Sequence, residues 1–190
     1  WRFLYSKFQK ERGKIFMTVA TKQKIVPSLW FDKNCEEAIT FYISLFNAAP
    51  HSEKNSKILS IERYPEGQQI GPMAGMEGEI LTAIFQLAGQ KFMALDGGPI
   101  FSFTEATSFY VECADQKEVD YFWERLSAVP ESEQCGWLKD KFGVSWQIIP
   151  KQLGEFLSDK DKAKAGRVMQ AMLQMKKIDV NGLQEAYEWK

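Results

Sequence analysis

The stretch Glu133-Gln-Cys-Gly-Trp-Leu-Lys-Asp-Lys-Phe-Gly-Val-Ser-Trp-Gln-Ile-Ile-Pro150 reads as two short strands around a tight turn. Residues 133–138 form the first strand and 144–149 the second, each rich in the apolar and aromatic residues that strands favour. Between them lie Asp140 and Gly143, which tolerate turn geometry. Pro150 has no N–H to give a ladder and stops the second strand. Alternation puts Ser145, Gln147 and Ile149 on one strand face and Val144, Trp146 and Ile148 on the other. By the same rule Cys135 and Trp137 share a face of the first strand.

Working back along the chain, 24–31 is a strand that Pro27 confines to an edge or a strand start. Asn34 is placed to cap a helix, with Glu37 three residues on as its reciprocal partner. Ala38, Phe41, Tyr42 and Leu45 then recur at helical spacing. Strands follow at 58–64, 79–87 and 91–95, with a glycine-rich loop at 65–78 and a turn at 88–90. Asp96-Gly97-Gly98-Pro99 closes the unit. The plan then repeats. A strand at 107–111 leads to a cap at Asp115 with Glu118 as partner, and Val119, Phe122, Trp123 and Leu126 form a helical face. The opening hairpin completes this second unit. A shift of 80 residues pairs Phe31 with Val111, Tyr42 with Phe122 and Phe46 with Leu126, and Gly89 pairs with Gly143 at 54. The fold class is therefore α+β: two β-α-β-β-β modules forming a cupped mixed sheet.

Helices are expected after Pro150, at 153–157, 161–177 and 179–189. Val168, Met172 and Met175 fall on one helical stripe, which reads as adaptable packing. The division expected is an N-terminal extension at 1–23 outside the fold, the paired modules at 24–150 and a helical extension at 151–190. Residues 1–16 hold Arg2, Lys7, Lys10, Arg12 and Lys14 against Glu11 alone, and no apolar stretch of signal-peptide length. That break in composition, with Met17 as a natural start, leads to the expectation that these 16 residues are dispensable.

Composition narrows the partners. Hydrophobic residues make up 45% of 190, enough to bury a core, and the net charge of −1 argues against nucleic acid. No apolar run approaches the roughly 18 residues of a membrane span. The cysteines, Cys35, Cys113 and Cys135, are three and widely spaced, which fits reduced thiols in the cytoplasm.

Several blocks, taken in order, resemble one family. They are Trp30-Phe31-Asp32 with Glu36-Glu37-Ala38 and Phe41-Tyr42, then Phe92 to Pro99, then Val111 to Asp115, then Cys135 to Asp140 with Phe142-Gly143 and Trp146-Gln147, and last Val168 to Asp179. Together they are similar to the PhnB-like branch of the vicinal-oxygen-chelate superfamily, also labelled 3-demethylubiquinone-9 3-methyltransferase-like. The resemblance runs from about Ile25 to about Leu183. It implies a ligand cavity inside the curve of the sheet and a homodimer. The superfamily takes metal ligands from the first and last strand of each module. The places so implied here are Ser28 or a neighbour, Met93, Ser108 or Phe109, and Gln147, the last standing where a chelating Glu would be. None is His, Glu, Asp or Cys, and a neutral amide oxygen is a poor transition-metal ligand, so no metal is expected.

The cavity candidates are accordingly Ser28, Met93, Ser108, Cys135, Trp137, Ser145 and Gln147. No catalytic residue is assigned. Asp96, Asp140 and Glu112 are the carboxylates available for acid–base work, and each reads equally well as a turn or cap residue. His51, the one histidine, reads as a solvated loop residue. No cofactor is expected, and S-adenosylmethionine would enter only if the methyltransferase label describes the activity. The glycine-rich places do not sit between a strand and a long helix, as a doubly wound nucleoside site requires. The function expected is binding or metal-independent conversion of a small organic metabolite. The alternatives are a quinone methyltransferase and a resistance-type protein that sequesters a drug.

Overall fold

The computed structural model describes residues 23–66 and 75–189. Residues 1–16, together with Gly67 and Gly71, lie outside the described residues. The first module runs β1 (Ser28–Phe31), α1 (Cys35–Ala48), β2 (Lys57–Arg63), β3 (Ile80–Leu87) and β4 (Gln90–Asp96). Its sheet has the order β1-β4-β3-β2, with β1 parallel to β4 and the other pairs antiparallel. The second module runs β5 (Phe109–Cys113), α2 (Gln116–Leu126), β6 (Trp137–Lys139) and β7 (Ser145–Pro150), in the order β5-β7-β6. Where the first module has β2, the second has a 3-10 turn at Pro130–Ser132 and a single bridge between Gln134 and Trp137. Pro130 offers no backbone donor, which suits a turn better than a ladder. The α+β class with paired modules and packed helices is the one read from the sequence, and the strands expected in one cupped mixed sheet form two mixed sheets of four and three strands.

Several boundaries differ from the sequence reading: the strand expected at 24–31 begins at Ser28 and the helix expected at 161–177 ends at Leu173. The strand expected at 133–138 shrinks to three residues, because Cys135 (φ 51°) and Gly136 (φ 85°) form a two-residue turn between Gln134 and Trp137. Successive positive φ values are what a tight hairpin turn needs. Cys135 is therefore a turn residue, and it does not share a strand face with Trp137. The first strand of the second module starts at Phe109, two residues later than expected. Phe31 pairs with Asp96 and Cys113 with Pro150, so the two modules correspond at an offset of 82 in their first strands.

The two modules share one core. Phe46 of α1 meets Phe122 of α2 at 5.1 Å and Trp146 of β7 at 5.9 Å, while Phe92 of β4 meets Phe109 of β5 at 5.2 Å. Trp146 and Ile148 point into this core, as alternation requires. Ile149, on the opposite face of β7, joins a second cluster with Leu153, Val168, Ile178 and Leu183. That cluster belongs to the last three helices, α3 (Lys151–Leu157), α4 (Lys162–Leu173) and α5 (Val180–Glu188). Met172 and Met175 pack against it, so the methionine stripe is covered within the chain. The attachment is also polar. The Cys135 N–H donates to the Met175 carbonyl at 2.8 Å and the Gly136 N–H to the Lys176 carbonyl at 2.7 Å.

Candidate binding cleft between the modules

The carboxylates come first, because their positions decide what chemistry is open to them. Asp96 ends β4 and is 1% exposed. Its Oδ1 accepts from the Cys35 N–H (2.9 Å) and its Oδ2 from the Ile80 N–H (3.1 Å). It thus caps α1 across 61 residues and places an anion where the helix dipole favours one. Asn34, expected as the cap, makes no side-chain cap bond. Asp115 does cap α2 as read, accepting from the Glu118 N–H at 3.0 Å.

Asp140 is 1% exposed and accepts four hydrogen bonds. The donors are Tyr42 Oη (2.6 Å), Trp146 Nε1 (2.8 Å), Phe142 N (2.8 Å) and Val144 N (3.0 Å). Burial pushes its carboxyl above the usual range, and these four donors pull against that. With its lone pairs committed, Asp140 holds α1 to the β6–β7 turn and has no capacity for substrate. Gly97 and Gly98 are explained in the same way. A Cβ on Gly97 would lie 2.1 Å from the Trp30 ring, and Trp30 Nε1 donates to the Gly98 carbonyl at 2.9 Å. The Trp30 and Asp-Gly-Gly blocks are therefore packing partners.

The seven cavity candidates fall into three places. Ser28 and Met93 are register partners on the open face of the first sheet, beside Trp30 and Leu95. Gln147 donates to Ser108 Oγ at 2.9 Å and stands in register with Tyr110 on one side and Trp137 on the other. Ser145 is buried, with no hydrogen-bond partner for its hydroxyl among the described residues. Cys135 sits in the turn beneath the last helices, remote in role from a sheet cavity. Helices α3–α5 cover the Ile149 end of the face that Gln147 shares. The donors at the four superfamily places are neutral, Gln147 has given its amide N–H to Ser108, and no three His, Cys, Asp or Glu side chains converge among the described residues. This donor set does not fit a divalent ion. Nor does a nucleoside cofactor find a doubly wound site, since Asp96 already fills the N-terminus of α1.

One cavity lies apart from these seven residues, along the free edge of β5. A cleft of about 410 Å³ opens between the modules, facing Pro27 and the β3–β4 turn. Phe46, Phe92, Phe109 and Trp146 form its apolar wall, and Tyr110 and Glu112 stand on its polar side. None of the seven candidates lines it. Tyr110 is 55% exposed, and burial first, then the nearby Glu112, pushes its phenol up, so it stays a neutral donor at physiological pH. Of the three carboxylates proposed for acid–base work, only Glu112 reaches this cleft. A second chamber of about 280 Å³ adjoins it, sharing Phe46, Ala88, Val111 and Glu112. His51 lines this chamber, and its Nε2 lies 3.0 Å from Asp115 Oδ2. The alternation of Phe109 and Val111 with Tyr110 and Glu112 was the sequence signal for an amphipathic edge strand.

The family model for 3-demethylubiquinone-9 3-methyltransferase matches residues 23–149. The chain belongs to this PhnB-like family. A solved structure described as a putative 3-demethylubiquinone-9 3-methyltransferase, PhnB protein, from Bacillus cereus is 40% identical, covers 67% of this chain and 99% of its own, and superposes with a TM-score of 0.54. A Pseudomonas aeruginosa protein is 20% identical over 68% of this chain and 98% of its own, with a TM-score of 0.49. A Staphylococcus aureus protein is 29% identical over 66% of this chain and 93% of its own, with a TM-score of 0.29. No curated protein matches the chain. The PhnB-like match ends where the helical extension begins, at β7.

Proposed function

We propose that this PhnB-like protein binds a small organic molecule with a flat apolar body in the cleft between its modules, without a metal. The observation that carries this is the aromatic wall of Phe46, Phe92, Phe109 and Trp146 around about 410 Å³, with Tyr110 and Glu112 as polar anchors. Pockets of roughly 300–1,000 Å³ with a few polar groups are the usual form of small-molecule sites. If the bound molecule is converted, Glu112 and Tyr110 are the groups in reach to carry a proton. Sequestration needs no such step. A methyltransferase in the sense of the family's name would need a place for S-adenosylmethionine, and the residues offer none of the doubly wound kind.

The test is mass spectrometry of small molecules carried through purification, followed by calorimetric titration of any that are found. Tyr110→Phe and Glu112→Ala, both at exposed positions, should weaken binding without lowering the melting temperature. Unchanged binding in both, or tight binding of S-adenosylmethionine alone, would overturn the reading.

We also infer a homodimer in a reducing, cytoplasmic compartment. The open face of the first sheet carries Trp30, Met93, Leu95 and Ile84, with Ile100 and Phe101 each 64% exposed nearby. All three cysteines are unpaired, and among the described residues no helix is long and apolar enough to cross a membrane. Light scattering that finds a monomer at micromolar concentration would remove the dimer.

A further inference from the structure

We infer that the ligand of this cleft is an organic cation, a protonated amine or quaternary ammonium group on an apolar body. This rests on the binding reading above and adds the ligand's charge. The observation is the lining of the cleft and its adjoining chamber taken together. Three carboxylates, Glu53, Glu112 and Glu118, line that space. Among the described residues that line it, none is lysine or arginine. The one basic group is His51, which already faces the Asp115 carboxylate at 3.0 Å.

The carboxylates differ in what they have left to give. Glu118 accepts from the Ala114 N–H at 2.7 Å, and Glu53 accepts from the Asn55 amide at 3.0 Å. Glu112 has no hydrogen-bond or ion-pair partner for its carboxylate among the described residues, and it borders both chambers. Around it stand aromatic rings. Phe46 and Phe122 face the smaller chamber, and Phe92, Phe109, Tyr110 and Trp146 the larger. Ring faces carry negative potential and attract cations, most strongly for Trp and Tyr. A cleft lined by one sign of charge between low-dielectric walls concentrates that field on its occupant. An anionic ligand in the larger cleft would meet the Glu112 carboxylate, with no lysine or arginine among the residues that line the cleft to offset it. A neutral ligand would gain from the rings and leave Glu112 unused.

Calorimetry on the full chain with four probes that share a phenyl ring decides the matter: benzyltrimethylammonium, benzylamine, benzyl alcohol and benzoate. Both cations should bind about tenfold or more tightly than benzyl alcohol, a gap of about 1.4 kcal/mol, with no benzoate binding detected. Glu112→Gln should reduce cation affinity about tenfold more than benzyl alcohol affinity, with an unaltered melting temperature as the check on folding. A primary amine favoured over the quaternary probe would assign the charge to the carboxylate, and the reverse order to the rings. Equal affinity for the cations and benzyl alcohol would overturn the charge assignment and leave the cleft as a neutral site. Glu112→Gln weakening all probes alike would overturn it too. If no probe of any charge binds, the cleft reading fails and this inference with it.

Discussion

Tyr42 donates its hydroxyl to Asp140 Oδ2 at 2.6 Å, across 98 residues of chain. One bond therefore joins the helix of the first module to the hairpin of the second. Removing it with Tyr42→Phe keeps the ring contact with Trp146 (5.4 Å between centroids) and leaves the carboxylate three donors. The expected loss is about 1.5–3 kcal/mol, the range for a bond to a charged group. Asp140→Ala strands four donors and should cost more than Tyr42→Phe. Urea denaturation of both, and of the double variant, measures the coupling. An additive pair would contradict a direct bond.

Asp96 is the second long-range carboxylate. Asp96→Ala leaves the Cys35 and Ile80 N–H groups buried without acceptors. At about 1–3 kcal/mol for each stranded group, the loss should be about 2–6 kcal/mol. Asn34→Ala, by contrast, should change stability by less than about 0.5 kcal/mol, since Asn34 makes no side-chain cap bond. A larger loss for Asn34→Ala than for Asp96→Ala would reverse the assignment.

Two glycines separate backbone strain from crowding. Gly143 (φ 87°) would place a Cβ no closer than 3.8 Å to Phe103. Gly136 (φ 85°) would place one 2.5 Å from Ile149 Cδ1 and 3.1 Å from the Ile148 carbonyl oxygen. Gly143→Ala should cost about 1–2 kcal/mol, the ordinary penalty of a left-handed conformation. Gly136→Ala should cost about 1–3 kcal/mol more, as overpacking does. Equal melting temperatures for the two variants would show that the turn relaxes freely.

The thiols should react in a set order. Burial, then the neighbouring Asp96 and Glu36, pushes the Cys35 thiol up to about 12, and Cys113 is pushed up by burial as well. Both are fully buried, whereas Cys135 is partly exposed in its turn. Iodoacetamide at neutral pH should modify Cys135 alone in the native protein and all three cysteines in denaturant. Early labelling of Cys35 would contradict the packing of α1.

A pH dependence follows from Asp120. Its hydrogen bond from Lys177 (2.6 Å) holds the carboxyl below its ordinary value of 3.8, and it joins α2 to the chain before α5. A depressed folded-state value means that the stabilising contribution is present above about pH 4 and is lost as pH falls through the folded-state value. Asp120→Asn should therefore flatten the acid limb of the stability curve. The side chain is 39% exposed, so the change will be small and screened by salt. An identical acid limb in the variant would exclude the contribution.

Local grammar was readable in the sequence and distant contact was not. The Asp115 cap was legible because its partner Glu118 lies three residues on. The α1 cap was not, because its acceptor Asp96 arrives from another strand. Alternation sorted Trp146 and Ile148 from Gln147 and Ile149 correctly, and those faces now carry the two separate cores. Alternation says nothing, however, about the gap left between two sheets. Phe46 was legible only as a repeat partner of Leu126, and Trp146 only as one face of a strand; the packing of one module on the other is what brings them and Phe92 together as a wall. Cys135 was misread because a two-residue turn inside an apolar run looks like strand until the backbone angles are known.

The amides of Cys135 and Gly136 also keep time for the last helices. Both point out of their own module and into the carbonyls of Met175 and Lys176. Their hydrogens can exchange with solvent only when that linker lifts away, by local release or by global unfolding. The Ile148 amide, bonded to the Gly136 carbonyl at 2.8 Å beside them, answers to the hairpin instead. Comparing deuterium uptake at these three positions would therefore tell whether α3–α5 peel off as a unit while both sheets stay closed.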